Sequence, residues 1–141
     1  MADGIRIEIV SPERLVLSET AESVTVPGTD GYFTVMGDHA PLMTTLRPGF
    51  ITVNGGAGRM TFYVRGGFAD VSTDGLTVLA EQASTFADFD RAEIERLLTE
   101  SQGRLTGAQS GDERSLAQEM VNGWANLLTE AGQLNPSQHV H

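Results

Sequence analysis

The hydrophobic period of this chain changes once along its length, and that change limits what it can fold into. Up to about residue 82, apolar side chains recur at every second position, the repeat of a strand with one wet face. Beyond residue 90 they recur at steps of three and four, the repeat of an amphipathic helix. Ile5, Ile7 and Ile9 alternate with Arg6 and Glu8, and Met60, Phe62 and Val64 alternate with Thr61, Tyr63 and Arg65. Turn signals separate such runs. Ser11-Pro12 stops the first strand, because proline cannot donate to a ladder. Short strands follow over 15–17 and 23–26, and Pro27-Gly28-Thr29-Asp30-Gly31 turns the chain into another over 32–35. Arg47-Pro48-Gly49 has the residue order of a type II turn. The run over 50–53 leads into Asn54-Gly55-Gly56, a hairpin signal. Gly66-Gly67 interrupts a strand pattern that resumes at Phe68; a bulge and the tight packing of another chain are the two readings of that pair. Thr73-Asp74-Gly75 precedes the last strand, 76–80. Eight or more short strands at this spacing predict a sandwich or barrel.

The second region predicts two helices. Ile94, Leu97, Leu98 and Leu105 share a face, with Asp90 and Glu93 as a cap pair. Residues 106–111 are a polar break, and Ser110 with Glu113 forms a capping-box signature at the start of the next run. Leu116, Met120, Trp124, Leu127, Leu128 and Ala131 then line a second face, which Gly132 is expected to end, and 133–141 reads as a frayed tail. The fold expected is a mainly β N-terminal sandwich over 1–87 followed by an antiparallel α-helical hairpin over 88–141. Each apolar stripe is narrow, so the hairpin needs a surface to lie on.

Composition narrows the function. The 141 residues contain no cysteine, which removes disulfides, thiolate metal sites and a cysteine nucleophile. Nine basic residues, all arginine, face nineteen acids for a net charge of −10, a balance that repels phosphate backbones and anionic lipid. No apolar run approaches the ~20 residues of a membrane span and no export signal opens the chain, so the expectation is a soluble, cytoplasmic protein. Candidates for chemistry are few. Asp38-His39 is a His–acid neighbour pair, but adjacent strand residues point to opposite faces. His139 and His141 in the tail read as a solvated terminus or a stray metal site. Gly28-Thr29-Asp30-Gly31 has neither dinucleotide-loop spacing nor a following helix. Trp124 reads as core between the helices or as a partner contact. These residues point away from an enzyme and toward a scaffold that binds other proteins.

A set of motifs in order sharpens this: Val10-Ser11-Pro12-Glu13, Pro27-Gly28-x-x-Gly31, His39-Ala40-Pro41-Leu42, Leu46-Arg47-Pro48-Gly49, Gly66-Gly67-Phe68-Ala69-Asp70-Val71 and Val78-Leu79-Ala80-Glu81. With a two-helix hairpin after them, they resemble the epsilon subunits of bacterial F-type ATP synthases, the counterparts of mitochondrial delta. The resemblance implies a ten-stranded sandwich with a helical hairpin, acting as a non-catalytic rotor part of the central stalk. Its implied partners are the gamma subunit, the c-ring and the alpha/beta catalytic head. It also implies a place on the cytoplasmic face of the inner membrane, reached only through those partners. By position, Ser11, His39 and Thr44 fall where the family contacts gamma, and Asp30, Gly31 and Tyr32 lie in the loop facing the c-ring. Many members have Gly-Glu where this chain has Gly31-Tyr32, so the ring contact here is expected to be aromatic or hydrogen-bonded, with Asp30 supplying the charge.

Two further family features are weakened in this sequence. Where the hairpin inhibits ATP hydrolysis, basic residues on its second helix meet acidic segments of the catalytic head. Here Arg114 stands alone against Asp112, Glu113, Glu119 and Glu130, so weak or absent inhibition is expected, with a separate inhibitor protein to be sought. Some members bind ATP through an aliphatic-Asp-x-x-Arg-Ala motif. Asp88 and Arg91 keep part of it, but Ala87 replaces the aliphatic residue; the two readings are Asp88 as a helix cap and a nucleotide site at Asp88 and Arg91 too weak to matter, and no cofactor is expected. The runner-up is a free-standing sandwich adaptor that uses the hairpin as a docking arm; an enzyme comes third.

Overall fold

A computed structural model describes residues 4–56 and 58–134. His139 and His141 lie outside the described residues. The strands are β1 (Ile5–Ser11), β2 (Arg14–Ala21), β3 (Ser23–Gly28), β4 (Gly31–Met36), β5 (Leu42–Thr45), β6 (Gly49–Gly55), β7 (Gly58–Ser72) and β8 (Gly75–Thr85); a single 3-10 turn, Phe86–Asp88, follows. The helices are α1 (Arg91–Thr106) and α2 (Gly111–Leu134). The chain divides into two compact units, Met1–Phe89 and Asp90–His141. That division falls two residues beyond the 87/88 boundary read from the sequence, because Phe89 belongs to an aromatic cluster of the first unit.

The eight strands run in the order β2-β1-β8-β7-β6-β3-β4, with β5 also paired to β7. All pairs are antiparallel except β1 with β8. β7 and β8 are long enough to serve two layers. β2, β1, the start of β8, the end of β7 and β5 make one layer. The end of β8, the start of β7, β6, β3 and β4 make the other. Ten strand limbs therefore come from eight strands, which reconciles the expected number with the observed one. Ile7, Ile9, Val71, Leu76 and Val78 from the first layer share one buried core with Val24, Val26, Val35, Ile51, Val53, Phe62 and Val64 from the second.

The passage between layers is made at Gly66-Gly67, and it is not a bulge. Pairing with β8 keeps one register across the two glycines, from Arg65↔Gln82 to Gly67↔Ala80. Both have positive φ, +76° and +98°, which side chains rarely tolerate. A Cβ on Gly67 would strike the Leu79 carbonyl and lie 2.8 Å from Ala80 Cα, so the close approach is to this chain's own backbone. Two left-handed residues in succession also reset the alternation: Phe62 and Val64 point inward before them, Ala69 and Val71 after them. Phe68 is thereby left on the outside.

Three other expectations are corrected. Gly49 does not have the positive φ of a type II turn; it opens β6, and its missing side chain admits Pro27 and Tyr32. Tyr63, read as facing water, is buried, because Phe50, Phe86 and Phe89 cover that side of the second layer with ring centroids 4.9–5.8 Å apart around Phe50 and Tyr63. β5 lies within a segment whose sequence carries no strand alternation.

In the second unit the caps fall largely where the sequence put them. Asp90 accepts from the Glu93 amide at 3.1 Å and Ser110 from the Glu113 amide at 3.1 Å, while the Glu113 carboxylate accepts from the Gln109 amide at 2.8 Å. Asp90 rather than Asp88 caps α1. The Arg91 guanidinium donates to the Leu128 carbonyl at 3.4 Å, which places the start of α1 beside the end of α2 and makes the pair antiparallel. Ile94, Ser101, Ala117, Leu127 and Ala131 are buried between them. Leu116, expected on that face, is 60% exposed. α2 also continues through Gly132 to Leu134, since that glycine keeps negative φ and breaks no hydrogen bond.

Candidate docking face

The strand register assembles a feature that no single segment carries. Thr45 pairs with Phe68, Phe68 with Leu79, Leu79 with Val10, and Val10 with Leu15. Because strand neighbours on one row share a face, these five residues cross the whole first layer on its outer side; Ala69, Val78 and Ile9 beside them point into the core. Phe68 is 38% exposed, Leu79 40% and Leu15 57%. The next row is Met43, Asp70, Thr77, Glu8 and Ser18, with Met43 exposed. The result is an apolar stripe on a flat sheet face, bordered by the carboxylates of Asp70 and Glu8. Such a face buries apolar area only against another macromolecule, and its acidic border favours a basic rim on the partner. Phe68, Val10 and Leu79 each stand in one of the sequence motifs, but nothing in the motifs puts them on one face with Leu15; Leu79, an apolar residue on the wet parity of its strand, is the signal that could have revealed the row.

The residues carried over by position lie at separate points on the first unit. Ser11 is buried at the β1–β2 turn, where its hydroxyl donates to the Arg14 carbonyl at 3.4 Å. Thr44 sits in edge strand β5 on the row opposite Ala69, with its hydroxyl on the Thr45 carbonyl at 3.3 Å. His39 lies in the β4–β5 connection, its Nδ1 at 2.7 Å from the Ala40 carbonyl oxygen. It helps line a hollow of about 40 Å³ with Gly4, Arg6 and Asp74. That hollow is at the start of β1 and Ser11 is at its end, about 20 Å away at a strand's rise per residue. The three residues thus mark the length of the first layer and do not converge.

Thr29 and Asp30 form the tip of the β3–β4 hairpin, closed by the Gly28↔Gly31 pair with Gly31 at φ +130°. Asp30 is exposed at the tip. Tyr32 turns back instead: its hydroxyl accepts from the Phe50 amide at 3.0 Å, and the Arg47 guanidinium lies 5.2 Å above its ring. Asp88 is in the 3-10 turn of the first unit, where its amide donates to Thr85 Oγ1 at 3.3 Å. Arg91, in the second unit, is paired with Glu95 at 3.3 Å as well as bound to Leu128. Within the second unit, Arg104, Gly107, Ala108, Glu113, Leu116, Ala117 and Met120 line an open hollow of about 300 Å³.

A family model described as ATP synthase, Delta/Epsilon chain, beta-sandwich domain matches residues 4–86. The ATP synthase epsilon chain of Chelativorans sp. (strain BNC1) is 44% identical over 97% of this chain and 100% of its own length. This chain belongs to the ATP synthase delta/epsilon family. The epsilon chain of Mesorhizobium japonicum is similar to it at 41% identity over the same shares of both chains. The fold is also that of a chain in the cryo-EM structure of Euglena gracilis mitochondrial ATP synthase, OSCP/F1/c-ring, with TM-score 0.69 and 18% identity over 94% of this chain and 81% of that one. A chain in the Tetrahymena thermophila mitochondrial ATP synthase central stalk/c-ring structure gives TM-score 0.59 and 15% identity over 89% and 94%. The family resemblance drawn from the motifs agrees with these findings. Among the described residues, no helix of this epsilon-family chain is long and apolar enough to cross a membrane.

Proposed function

We propose that the chain is a non-catalytic rotor part of the central stalk of an F-type ATP synthase, passing c-ring rotation to the catalytic head through gamma. The observation that carries this reading is the exposed apolar row Phe68–Leu79–Val10–Leu15 across the first layer, a face shaped for a protein partner. In this reading the layer that carries this face, with Ser11, His39 and Thr44 at separate points along it, lies toward gamma, and the tip at Asp30 and Gly31 lies toward the c-ring. The assemblies that hold the similar folds are described by F1, c-ring and central stalk, which supports the same partners. A close-packed sandwich has low compressibility, so it transmits load with little loss. The chain reaches the cytoplasmic face of the inner membrane only through its partners.

The hairpin contributes little to the control of hydrolysis. Arg114 alone faces Asp112, Glu113, Glu119 and Glu130 on α2, and bringing that helix to acidic segments of the head is electrostatically unfavourable. ATP is not a cofactor in this reading, since the Arg91 guanidinium is already engaged by Glu95 and the Leu128 carbonyl. Tagged chain recovered from solubilised membranes of its source is expected to bring stoichiometric alpha, beta and gamma subunits, identified by mass spectrometry. Recovery alone, or with an unrelated set of proteins, overturns the reading. Salt-sensitive inhibition of hydrolysis that disappears when residues 90–141 are removed overturns the weak regulatory role.

A further inference from the structure

The ladder between β3 and β6 stops early, and a side chain takes its place. Pairing runs Ser23↔Asn54, Val24↔Val53 and Thr25↔Thr52. Carried two residues further, it would set Pro27 opposite Phe50, but proline has no N–H to give. The Pro27 carbonyl instead accepts from the Arg47 amide at 3.0 Å, and the Phe50 N–H, which still needs an acceptor, donates to the Tyr32 hydroxyl at 3.0 Å. Tyr32 is the residue paired with Pro27 across the hairpin, so its side chain reaches the gap directly. Gly49 makes the room: a Cβ there would stand 2.7 Å from the Tyr32 hydroxyl and 2.7 Å from Pro27 Cβ. Arg47 closes over the ring at 5.2 Å. Two more ties join the same segments, Thr29 Oγ1 to the Thr45 carbonyl at 2.9 Å and the Gly28↔Leu46 bridge. The segment they grip is where β5 passes into β6, and the Leu46 amide continues it to the Gly67 carbonyl at 2.9 Å, the point where β7 crosses between layers.

We propose that Tyr32 is a positioning residue and not a ring contact: with Arg47 on its face and Phe50 on its hydroxyl, it locks the β3–β4 tip to the corner that joins both layers. Load arriving at Asp30 and Gly31 then enters the whole sandwich instead of bending the hairpin. This rests on the rotor reading of that tip. The residue that replaces a family acid here turns its hydroxyl back to Phe50 while the residue stays 39% exposed, and Asp30 is left as the charge presented outward.

Two variants of the full chain test it, Tyr32→Phe, which removes only the hydroxyl, and Gly49→Ala, which displaces the phenol but keeps its hydroxyl. Hydrogen exchange at the Phe50 amide is expected to quicken about three- to tenfold in both, with the global denaturation midpoint little changed. In ATP synthase reassembled with either variant, protons pumped per ATP hydrolysed should fall while the amount of chain in the complex stays constant. Unchanged exchange at Phe50 in Tyr32→Phe overturns the clamp. Faster exchange with an unchanged pumping ratio overturns its load-bearing role. Failure of the unsubstituted chain to enter the complex would refute the rotor reading instead, and the exchange result would still decide whether the clamp exists.

Discussion

The two units of this chain are held together by different physics. In the sandwich, Ile7, Ile9, Val24, Val26, Val35, Ile51, Val64 and Val78 are fully buried, and they come from six strands distributed over the whole first unit. Their burial depends on pairings between residues far apart in sequence. In the hairpin the buried set is Ile94, Ser101, Ala117, Leu127 and Ala131, three of them small. Small residues let two helices approach, while the caps and the exposed Arg91–Glu95 and Arg96–Glu100 pairs act within one turn. Stiffness therefore belongs to the sandwich, through its long-range packing. The hairpin is a local structure whose parts can fail one at a time.

The largest break in this comparison is expected from Gly67→Val. A branched side chain at φ +98° against the Leu79 carbonyl combines backbone strain with a backbone clash, a loss of about 4 kcal/mol or more. Guanidinium denaturation should show the sandwich transition moved far down or lost. A midpoint equal to that of the unsubstituted chain would refute the account of the layer crossing. The next largest effect is Leu127→Ala, which removes a buried side chain from the helix pair and should cost about 2–3 kcal/mol. The loss should appear in the helical signal at 222 nm, with the sandwich transition unmoved; a matching shift of both would show that the units do not unfold separately. Asp90→Ala is smaller still, about 1 kcal/mol from a lost N-cap. It is read as faster amide exchange at Glu93, with no change at the strands.

What the sequence revealed follows the same division. Local devices were legible: the Ile5–Ile7–Ile9 alternation, the Asp90 cap and the Ser110–Glu113 box each depend on residues within one turn or one strand. What escaped depends on partners brought from elsewhere. Tyr63 is buried because Phe50, Phe86 and Phe89 arrive over it. Gly49 is needed because Tyr32 folds onto it. Gly66-Gly67 looked like a bulge because a bulge is the usual local reason for paired glycines, whereas their left-handed φ serves a crossing that only the β7–β8 register reveals. Leu116 kept the helical period but lies off the face that α1 covers, since the period fixes a stripe and not its angular width. The docking row was hidden for the same reason as the core: it is a property of register across four strand pairs.

The smallest effect on stability should come from that row, and there the comparison is sharpest. Phe68 owes its exposure to the reset of alternation at Gly66-Gly67, so this residue, 38% exposed, contributes less to the fold than an inward one. Phe68→Thr replaces an aromatic with a β-branched residue, both of good β propensity, and should change the unfolding free energy by about 0.5 kcal/mol. Binding is a different matter. An aromatic at the centre of a protein interface commonly carries 2 kcal/mol or more of its affinity, so the same variant should bind gamma some thirtyfold more weakly, as titration calorimetry would read. Equal binding would move the interface off this face, and an equal loss of stability and affinity would mean that Phe68 supports the sandwich itself. A sandwich that is indifferent to Phe68 while its partner is not would separate the residues that make this unit stiff from the residues that connect it to something else.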